Sequence, residues 1–134
     1  MGQEITMAQL LLPDTDVLID FLRGYQQAVD FINTNASQMI LSTIVIAELY
    51  AGVRGKQELT ILNDFVSLFD VIPMNSEIAK IGGLYKRDFG KSHGVGLADA
   101  IIAATCHSKN AQLKTLNIKH YPMIKNLEPA YIKN

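Results

Sequence analysis

The chain has 134 residues, 49% of them hydrophobic, and its 12 basic and 13 acidic residues give a net charge of −1. This length predicts one domain over residues 1–134, and the hydrophobic fraction excludes an intrinsically disordered chain. The charge balance lacks the basic excess of many nucleic-acid binders, so nucleic-acid contacts would need local basic patches or a metal. The single cysteine, Cys106, excludes an internal disulfide and fits a reducing cytoplasm.

The sequence also disfavours membrane insertion and export. No apolar stretch reaches the roughly 20 residues that a membrane-spanning helix needs. Glu4 and the lack of an early Lys or Arg argue against a secretory signal. We therefore expect a cytoplasmic protein with no membrane partner.

In the first half of the chain, short apolar runs alternate with helical spacing of apolar residues. Gly24 and Gly55 are expected to stop the helices that precede them. The elements predicted there are a strand at residues 9–12, helices at 16–23 and 25–33, a strand at 38–41, a helix from Ser42 or Thr43 to 53, and an amphipathic helix at 57–69.

The second half repeats this alternation, and Gly82-Gly83 is expected to be a soft spot in its first helix. The elements predicted there are a strand at residues 70–74, a helix from 75 or 76 to 89, a polar loop at 91–96, a buried helix at 97–108, a strand at 112–116 and a last strand near 131–132. Strands alternating with helices predict a parallel sheet covered on both faces.

Three acidic residues, Asp14, Glu48 and Asp99, follow apolar runs or begin helices. Parallel strands end at one edge of a sheet, where ligands bind in open α/β folds, so these carboxylates should converge. They would repel one another unless a cation held them, and oxygen ligands favour Mg²⁺ or Mn²⁺. The pattern therefore indicates a metal-dependent enzyme of phosphate chemistry.

Each acid also has a structural interpretation. Asp14 is equally well placed to cap a helix, and Asp99 would gain from a helix dipole. Glu48 is the lone acid of an apolar helix, where a buried carboxylate needs a partner, although a surface glutamate remains the alternative. Asn117 follows the fourth strand. It would either offer a neutral oxygen to the site or simply form a turn, and the turn is slightly favoured.

The other polar residues give weaker signals. Lys86, Arg87 and Lys91 form a basic cluster that would contact a phosphate backbone or simply confer solubility. Arg23 and Arg54 follow helices near the same sheet edge. The histidines lack metal-ligand spacing and are interpreted as surface or loop residues: His93, His107 and His120. The remaining aspartates fit solvated helix faces or ends: Asp20, Asp30, Asp64, Asp70 and Asp88.

Four segments together resemble the PIN-domain ribonucleases, in particular the VapC-type toxins of bacterial and archaeal toxin–antitoxin pairs. They occur in order, at suitable spacing, and span nearly the whole chain. The segments are residues 11–24 (LLPDTDVLIDFLRG), 42–52 (STIVIAELYAG), 96–105 (GLADAIIAAT) and 113–121 (LKTLNIKHY).

The resemblance implies a three-layer α/β/α domain with a central parallel sheet of four to five strands. It implies that Asp14, Glu48 and Asp99 are the catalytic, metal-binding acids. Thr15 and Thr115 fall at the family's small hydroxyl positions near the site.

The chain departs from the family pattern at two supporting positions. Asn117 stands where a fourth acid is frequent, and Asp16 stands where Asn or Ser is more usual, so Asp16 is a candidate to replace the missing charge. With Asn117 neutral, we expect one tightly held ion and a second that arrives with substrate.

The implied reaction is metal-dependent hydrolysis of a phosphodiester bond in a structured RNA, such as a tRNA or a ribosomal RNA loop. The ion, Mg²⁺ or Mn²⁺, would orient a water and neutralise developing charge. The resemblance also implies a homodimer and a cognate antitoxin that covers the active groove.

Two other functions are compatible with parts of the sequence. Asp14-Thr15-Asp16 fits a haloacid-dehalogenase-type phosphatase, with Asp14 as nucleophile and Asp16 as acid/base. However, Val17-Leu18 replace the small residues expected there, and no paired acids occur late in the chain. A non-catalytic PIN scaffold is the other alternative, although three retained acids argue against it.

Overall fold

The computed structural model describes residues 9–133, and its centre is a parallel sheet. The strands are β1 (Leu11–Pro13), β2 (Ile40–Ser42), β3 (Asp70–Ile72) and β4 (Gln112–Lys114). β1 pairs with β4 and β2 pairs with β3, both in parallel. A parallel bridge between Leu11 and Met39 joins the two pairs in the order β3-β2-β1-β4. The predicted α/β class and parallel sheet are confirmed. The argument from Glu4 against a secretory signal concerns residues outside the described part of the chain.

Helices connect the strands in the predicted alternation. They are α1 (Thr15–Leu22), α2 (Gln26–Asn35), α3 (Thr43–Ala51), α4 (Gly55–Val66), α5 (Ser76–His93) and α6 (Leu97–Lys109), with short 3₁₀ turns at Ala36–Gln38 and Ile118–His120. Side-chain oxygens of Asp14, Ser42 and Asn75 accept backbone N–H groups at the starts of α1, α3 and α5. Between residues 9 and 133, no helix is both long and apolar enough to cross a membrane.

Several predicted boundaries were wrong; α4, for example, ends at Val66 and not at Phe69. Residues 91–93 belong to α5 and not to a loop, because the helix ends at Gly94, whose φ of +66° suits glycine. α3 ends at Gly52, and Gly55 instead begins α4. The last strand contact lies at Pro129, bridged in parallel to Thr115, rather than at residues 131–132.

α6 is the buried helix of the fold, with every residue from 100 to 106 buried. It packs along α5, where Gly82 faces Ile101 so closely that a Cβ at position 82 would lie 2.9 Å from Ile101 Cγ1 and 3.1 Å from its Cα. Gly82 is therefore a point of close helix approach, and α5 continues through the predicted soft spot. This packing fixes the position of the helix that carries Asp99.

Candidate active site

The candidate site lies at the carboxyl end of the β1–β4 strand pair. Asp14 directly follows β1 and Thr115 directly follows β4, and the Asp14 N–H donates to the Lys114 carbonyl at 2.8 Å. The Thr115 hydroxyl donates to Asp14 Oδ2 at 2.9 Å. Parallel pairing thus brings together two residues that are 101 positions apart in sequence.

Asp14 is nearly buried, with 6% of its surface exposed, and both carboxylate oxygens are hydrogen-bonded. Oδ1 accepts the Thr15 N–H at 2.8 Å, which is the helix-capping contact. Oδ2 accepts the Tyr121 hydroxyl at 2.8 Å in addition to Thr115. Asp14 therefore caps α1 and also lies at the centre of the polar cluster.

Tyr121 connects Asp14 to the second acid. Its hydroxyl lies 3.3 Å from Asp99 Oδ1, and Asp99 occupies the first turn of α6. Asp99 Oδ2 is 3.3 Å from His120 Nδ1. Burial, followed by the charge of Asp14, raises the pKa of Asp99, while His120 and Tyr121 lower it. Asp14 and Asp99 therefore form a pair of carboxylates whose mutual repulsion costs free energy when both are charged.

Glu48 joins the cluster through Thr15. The Thr15 hydroxyl donates to Glu48 Oε1 at 2.6 Å, which links the start of α1 to the middle of α3. Glu48 is exposed and not buried, so the expectation of a buried carboxylate was wrong. Glu48 is thus linked to Asp14 through Thr15, whose hydroxyl contacts Glu48 and whose backbone N–H contacts Asp14.

Asp16 holds the segment after β4 and does not lie free for a ligand. Its Oδ2 accepts the Leu116 N–H and the Asn117 Nδ2, each at 3.0 Å, while Oδ1 accepts the Val17 N–H at 2.7 Å. Burial, and then the charge of Asp14, raises the pKa of Asp16 to about 6. The Asn117 amide donates to Asp16 here, so Asp16 and Asn117 form a structural pair.

The donor set is compatible with a hard cation. Asp14, Asp99 and Glu48 offer only carboxylate oxygens, the ligands that Mg²⁺ and Mn²⁺ prefer. No three His, Cys, Asp or Glu side chains among residues 9–133 lie close enough to enclose an ion directly. Because Mg²⁺ usually keeps several waters and few carboxylate ligands, Asp14 and Asp99 could hold such an ion directly, and Glu48 could contact it through one of those waters.

Arg23 and Arg54 line one cavity of about 360 Å³ together with Glu48. Its other walls come from α1, α3 and α4 and are largely apolar: Ile19, Leu22, Leu49, Val53, Ile61 and Leu62. Glu58 also lines the cavity and accepts the Arg54 backbone N–H at 2.9 Å, which leaves the guanidinium group available. The cavity therefore combines two cations and an apolar wall beside the site.

The basic cluster on α5 is partly engaged in local contacts. The Lys86 ammonium donates to the Val95 carbonyl at 2.7 Å, and Arg87 pairs with Asp88 at 2.8 Å on an exposed surface. Lys91 is exposed on the last turn. Lys86 thus holds the loop that leads into α6, and its role in RNA contact remains a prediction.

Sequence reasoning missed Tyr121 and the contact of His120 with Asp99, and it misjudged Asp20. An aromatic residue at position 121 looks like an ordinary core residue, and only its polar hydroxyl distinguishes it. His120 is exposed, as expected, but it contacts Asp99. Asp20 was expected on a solvated face, yet it is 8% exposed and binds Tyr131 and Lys133.

These features define an α/β protein with an acidic site at the carboxyl edge of a parallel sheet. The family model for the PIN domain matches residues 11–121. The chain therefore belongs to the PIN-domain family, as its four sequence segments indicated.

Relatives with assigned names agree with this placement. The chain is 38% identical over 125 residues to Ribonuclease VapC19 of Mycobacterium tuberculosis, covering 90% of this chain and 98% of the relative. It is 35% identical over 125 residues to Ribonuclease VapC10 of the same species, covering 91% and 93% of the two chains. Among solved structures, a toxin-antitoxin complex from Klebsiella pneumoniae contains a similar chain, with a TM-score of 0.78, 26% identity, and 90% and 98% coverage.

Proposed function

We propose that this protein is a Mg²⁺- or Mn²⁺-dependent endoribonuclease that acts as the toxin of a toxin–antitoxin pair. One observation carries the proposal: Asp14 and Asp99 are joined by one buried hydroxyl at the sheet edge, in a chain 38% identical to a VapC ribonuclease. A carboxylate whose pKa is raised by burial and by a neighbouring acid, as for Asp99, is typical of functional sites.

Asp14 and Asp99 would hold the ion directly, and Glu48 would hold one of its waters. When bound, the ion would supply an oriented water nucleophile and neutralise charge on the phosphoryl group. Thr115 and Thr15 fix the two ends of this set, since their hydroxyls donate to Asp14 and Glu48. Asp16 and Asn117 hold the β4 end of the site in place.

RNA binding by a chain of net charge −1 must depend on local cations. Arg23 and Arg54 line the same cavity as Glu48 and would contact phosphates of the RNA backbone. Lys86, Arg87 and Lys91 offer a second, more distant set of contacts. A tRNA or a ribosomal RNA loop is the expected substrate class.

The antitoxin would cover the cavity lined by α1, α3 and α4. Its apolar wall suits a hydrophobic segment of a partner, and this chain is similar to a chain in a solved toxin-antitoxin complex. A homodimer and a cytoplasmic location complete the proposal, as in the family.

The test is cleavage of total RNA by the purified protein with Mg²⁺ or Mn²⁺, compared with EDTA and with Asp99→Asn, followed by sequencing of fragment ends. Asp64→Asn, an exposed change on α4, is the matched control and should cleave normally. Metal-dependent cleavage at a few sites, lost only in Asp99→Asn, is expected. Equal cleavage by Asp99→Asn, or none with any metal, would contradict the proposal.

The phosphatase alternative conflicts with the family match and with the geometry of Asp16. That residue would have to act on substrate, yet its carboxylate accepts three N–H groups of neighbouring residues. The scaffold alternative predicts that Asp14→Asn keeps both toxicity in cells and antitoxin binding. A nuclease predicts loss of toxicity with binding retained.

A further inference from the structure

Tyr121 is a core residue whose hydroxyl has no packing function. The side chain is 1% exposed and its ring belongs to the main hydrophobic cluster. A phenylalanine ring would fill the same space, so the hydroxyl must be explained by its partners. Those partners are Asp14 Oδ2 at 2.8 Å and Asp99 Oδ1 at 3.3 Å.

The hydroxyl determines which oxygen of Asp14 is available. Asp14 Oδ2 accepts the hydroxyl groups of both Tyr121 and Thr115, so two buried donors occupy its hydrogen-bonding capacity. Oδ1 accepts only the Thr15 N–H. An ion would therefore meet Oδ1, and the carboxylate is held in that orientation by two buried hydroxyls.

The same hydroxyl restrains the second acid. A phenol hydroxyl has one proton to donate, and the shorter contact indicates that its main hydrogen bond goes to Asp14. The longer contact to Asp99 Oδ1 still places both carboxylates against one oxygen atom, which limits how far they separate under mutual repulsion. Tyr121 belongs to the segment after the 3₁₀ turn at Ile118–His120. It therefore connects the two acids from a part of the chain that lies in neither β1 nor α6.

We infer that Tyr121 is a positioning residue that holds Asp14 and Asp99 at the spacing and orientation needed to bind one divalent cation. The inference rests on the proposed metal site and deepens it. Groups that orient metal ligands typically change metal affinity or activity by about 10- to 100-fold when they are removed. The hydroxyl alone carries the role, since the ring remains in Tyr121→Phe.

The experiment measures Mn²⁺ binding to the full chain by the electron paramagnetic resonance signal of the free ion. Tyr121→Phe is compared with Tyr131→Phe, which removes another 2.8 Å tyrosine–aspartate hydrogen bond, to Asp20, away from the site. We expect the Mn²⁺ Kd to rise about 10-fold or more in Tyr121→Phe and to stay within about twofold in Tyr131→Phe. In RNA cleavage, kcat should fall in Tyr121→Phe while KM stays constant.

The outcomes separate the two proposals. If the unaltered chain binds Mn²⁺ and Tyr121→Phe binds it equally well, the positioning role is overturned and the metal site stands. If the unaltered chain binds no Mn²⁺, the proposed metal site fails, and the role of Tyr121 fails with it. Equal weakening in both variants would show a general loss of structure, which also overturns the assignment, and circular dichroism of each variant would verify this.

Discussion

The Thr15 hydroxyl donates a 2.6 Å hydrogen bond to Glu48, joining two residues 33 positions apart. This contact ties the first turn of α1 to α3 and is the connection of Glu48 to the rest of the site. Because the Thr15 backbone N–H binds Asp14 independently, the side chain can be changed without losing the cap.

Thr15→Val should therefore impair activity while preserving stability. Valine keeps the shape of threonine but frees Glu48, so we expect kcat/KM for RNA cleavage to fall about 10-fold. The free energy of unfolding should change by less than about 0.5 kcal/mol, as at most surface sites. Thr60→Val, on exposed α4, is the control; an equal loss of activity there would contradict the role of Thr15.

Asp16 should make the stability of the metal-free protein depend on pH. Its pKa of about 6 lies above the ordinary 3.8, so the folded state prefers the protonated form. This contribution to stability is fully present below pH 3.8 and is lost as the pH rises through 6. Allowing for partial solvent exposure, the loss is about 1 kcal/mol.

Urea unfolding in EDTA at pH 5 and pH 7.5 measures the part of this loss that falls above pH 5. Asp16→Asn should show a smaller decrease in stability between the two pH values than the unaltered chain. Asp64→Asn should show the same decrease as the unaltered chain. If stability decreases equally in Asp16→Asn and in the unaltered chain, a group other than Asp16 causes the pH dependence of stability in this range.

Asp20 anchors the last described residues to α1. It is 8% exposed and accepts the Tyr131 hydroxyl at 2.8 Å and the Lys133 ammonium at 3.0 Å. Asp20→Ala should lower the free energy of unfolding by about 1–3 kcal/mol, because buried hydrogen bonds and an ion pair are lost. Thermal unfolding tests this, with Asp64→Ala as the exposed control; matching melting temperatures would refute the anchor.

The neighbouring glycines of α5 should respond in opposite directions. Gly82→Ala would force a Cβ to within 2.9 Å of Ile101 and should cost about 1–3 kcal/mol by overpacking. Gly83 has nothing within 4 Å of its Cβ direction, so Gly83→Ala should stabilise the helix by up to about 1 kcal/mol. Chemical unfolding of both variants measures the difference, and a stabilising Gly82→Ala would contradict the close approach of α5 and α6.

Local signals in the sequence predicted most of the fold. Capping residues such as Asn75 and apolar periodicity marked the helices. The position directly after an apolar run marked Asp14, and a position in the first turn of an apolar helix marked Asp99. The helix predicted to end at residue 89 continues to His93, and Gly90 lies within it, packed against Lys86. A local pattern cannot distinguish a helix-terminating glycine from one that accommodates a neighbouring side chain.

The contacts that complete the site could not be predicted because they depend on tertiary placement. Tyr121 has the sequence appearance of a core aromatic residue, and only the fold brings its hydroxyl to Asp14 and Asp99. Asp20 looks like a solvated helix residue until the distant Tyr131 covers it. Asp16 was expected to add charge for a metal, whereas the segment after β4 occupies its oxygens.

The pairing of β1 with β4 has a consequence for the chain as it is synthesised. Asp14 emerges from the ribosome about a hundred residues before Thr115 and Tyr121, which complete its hydrogen bonds. Long-range pairing of this kind forms late in folding, because the intervening chain must first be brought together. A nascent or truncated chain that lacks residues 112–121 has no assembled acid pair. A cell that makes this protein therefore meets its nuclease activity only after residues 112–121 have been translated.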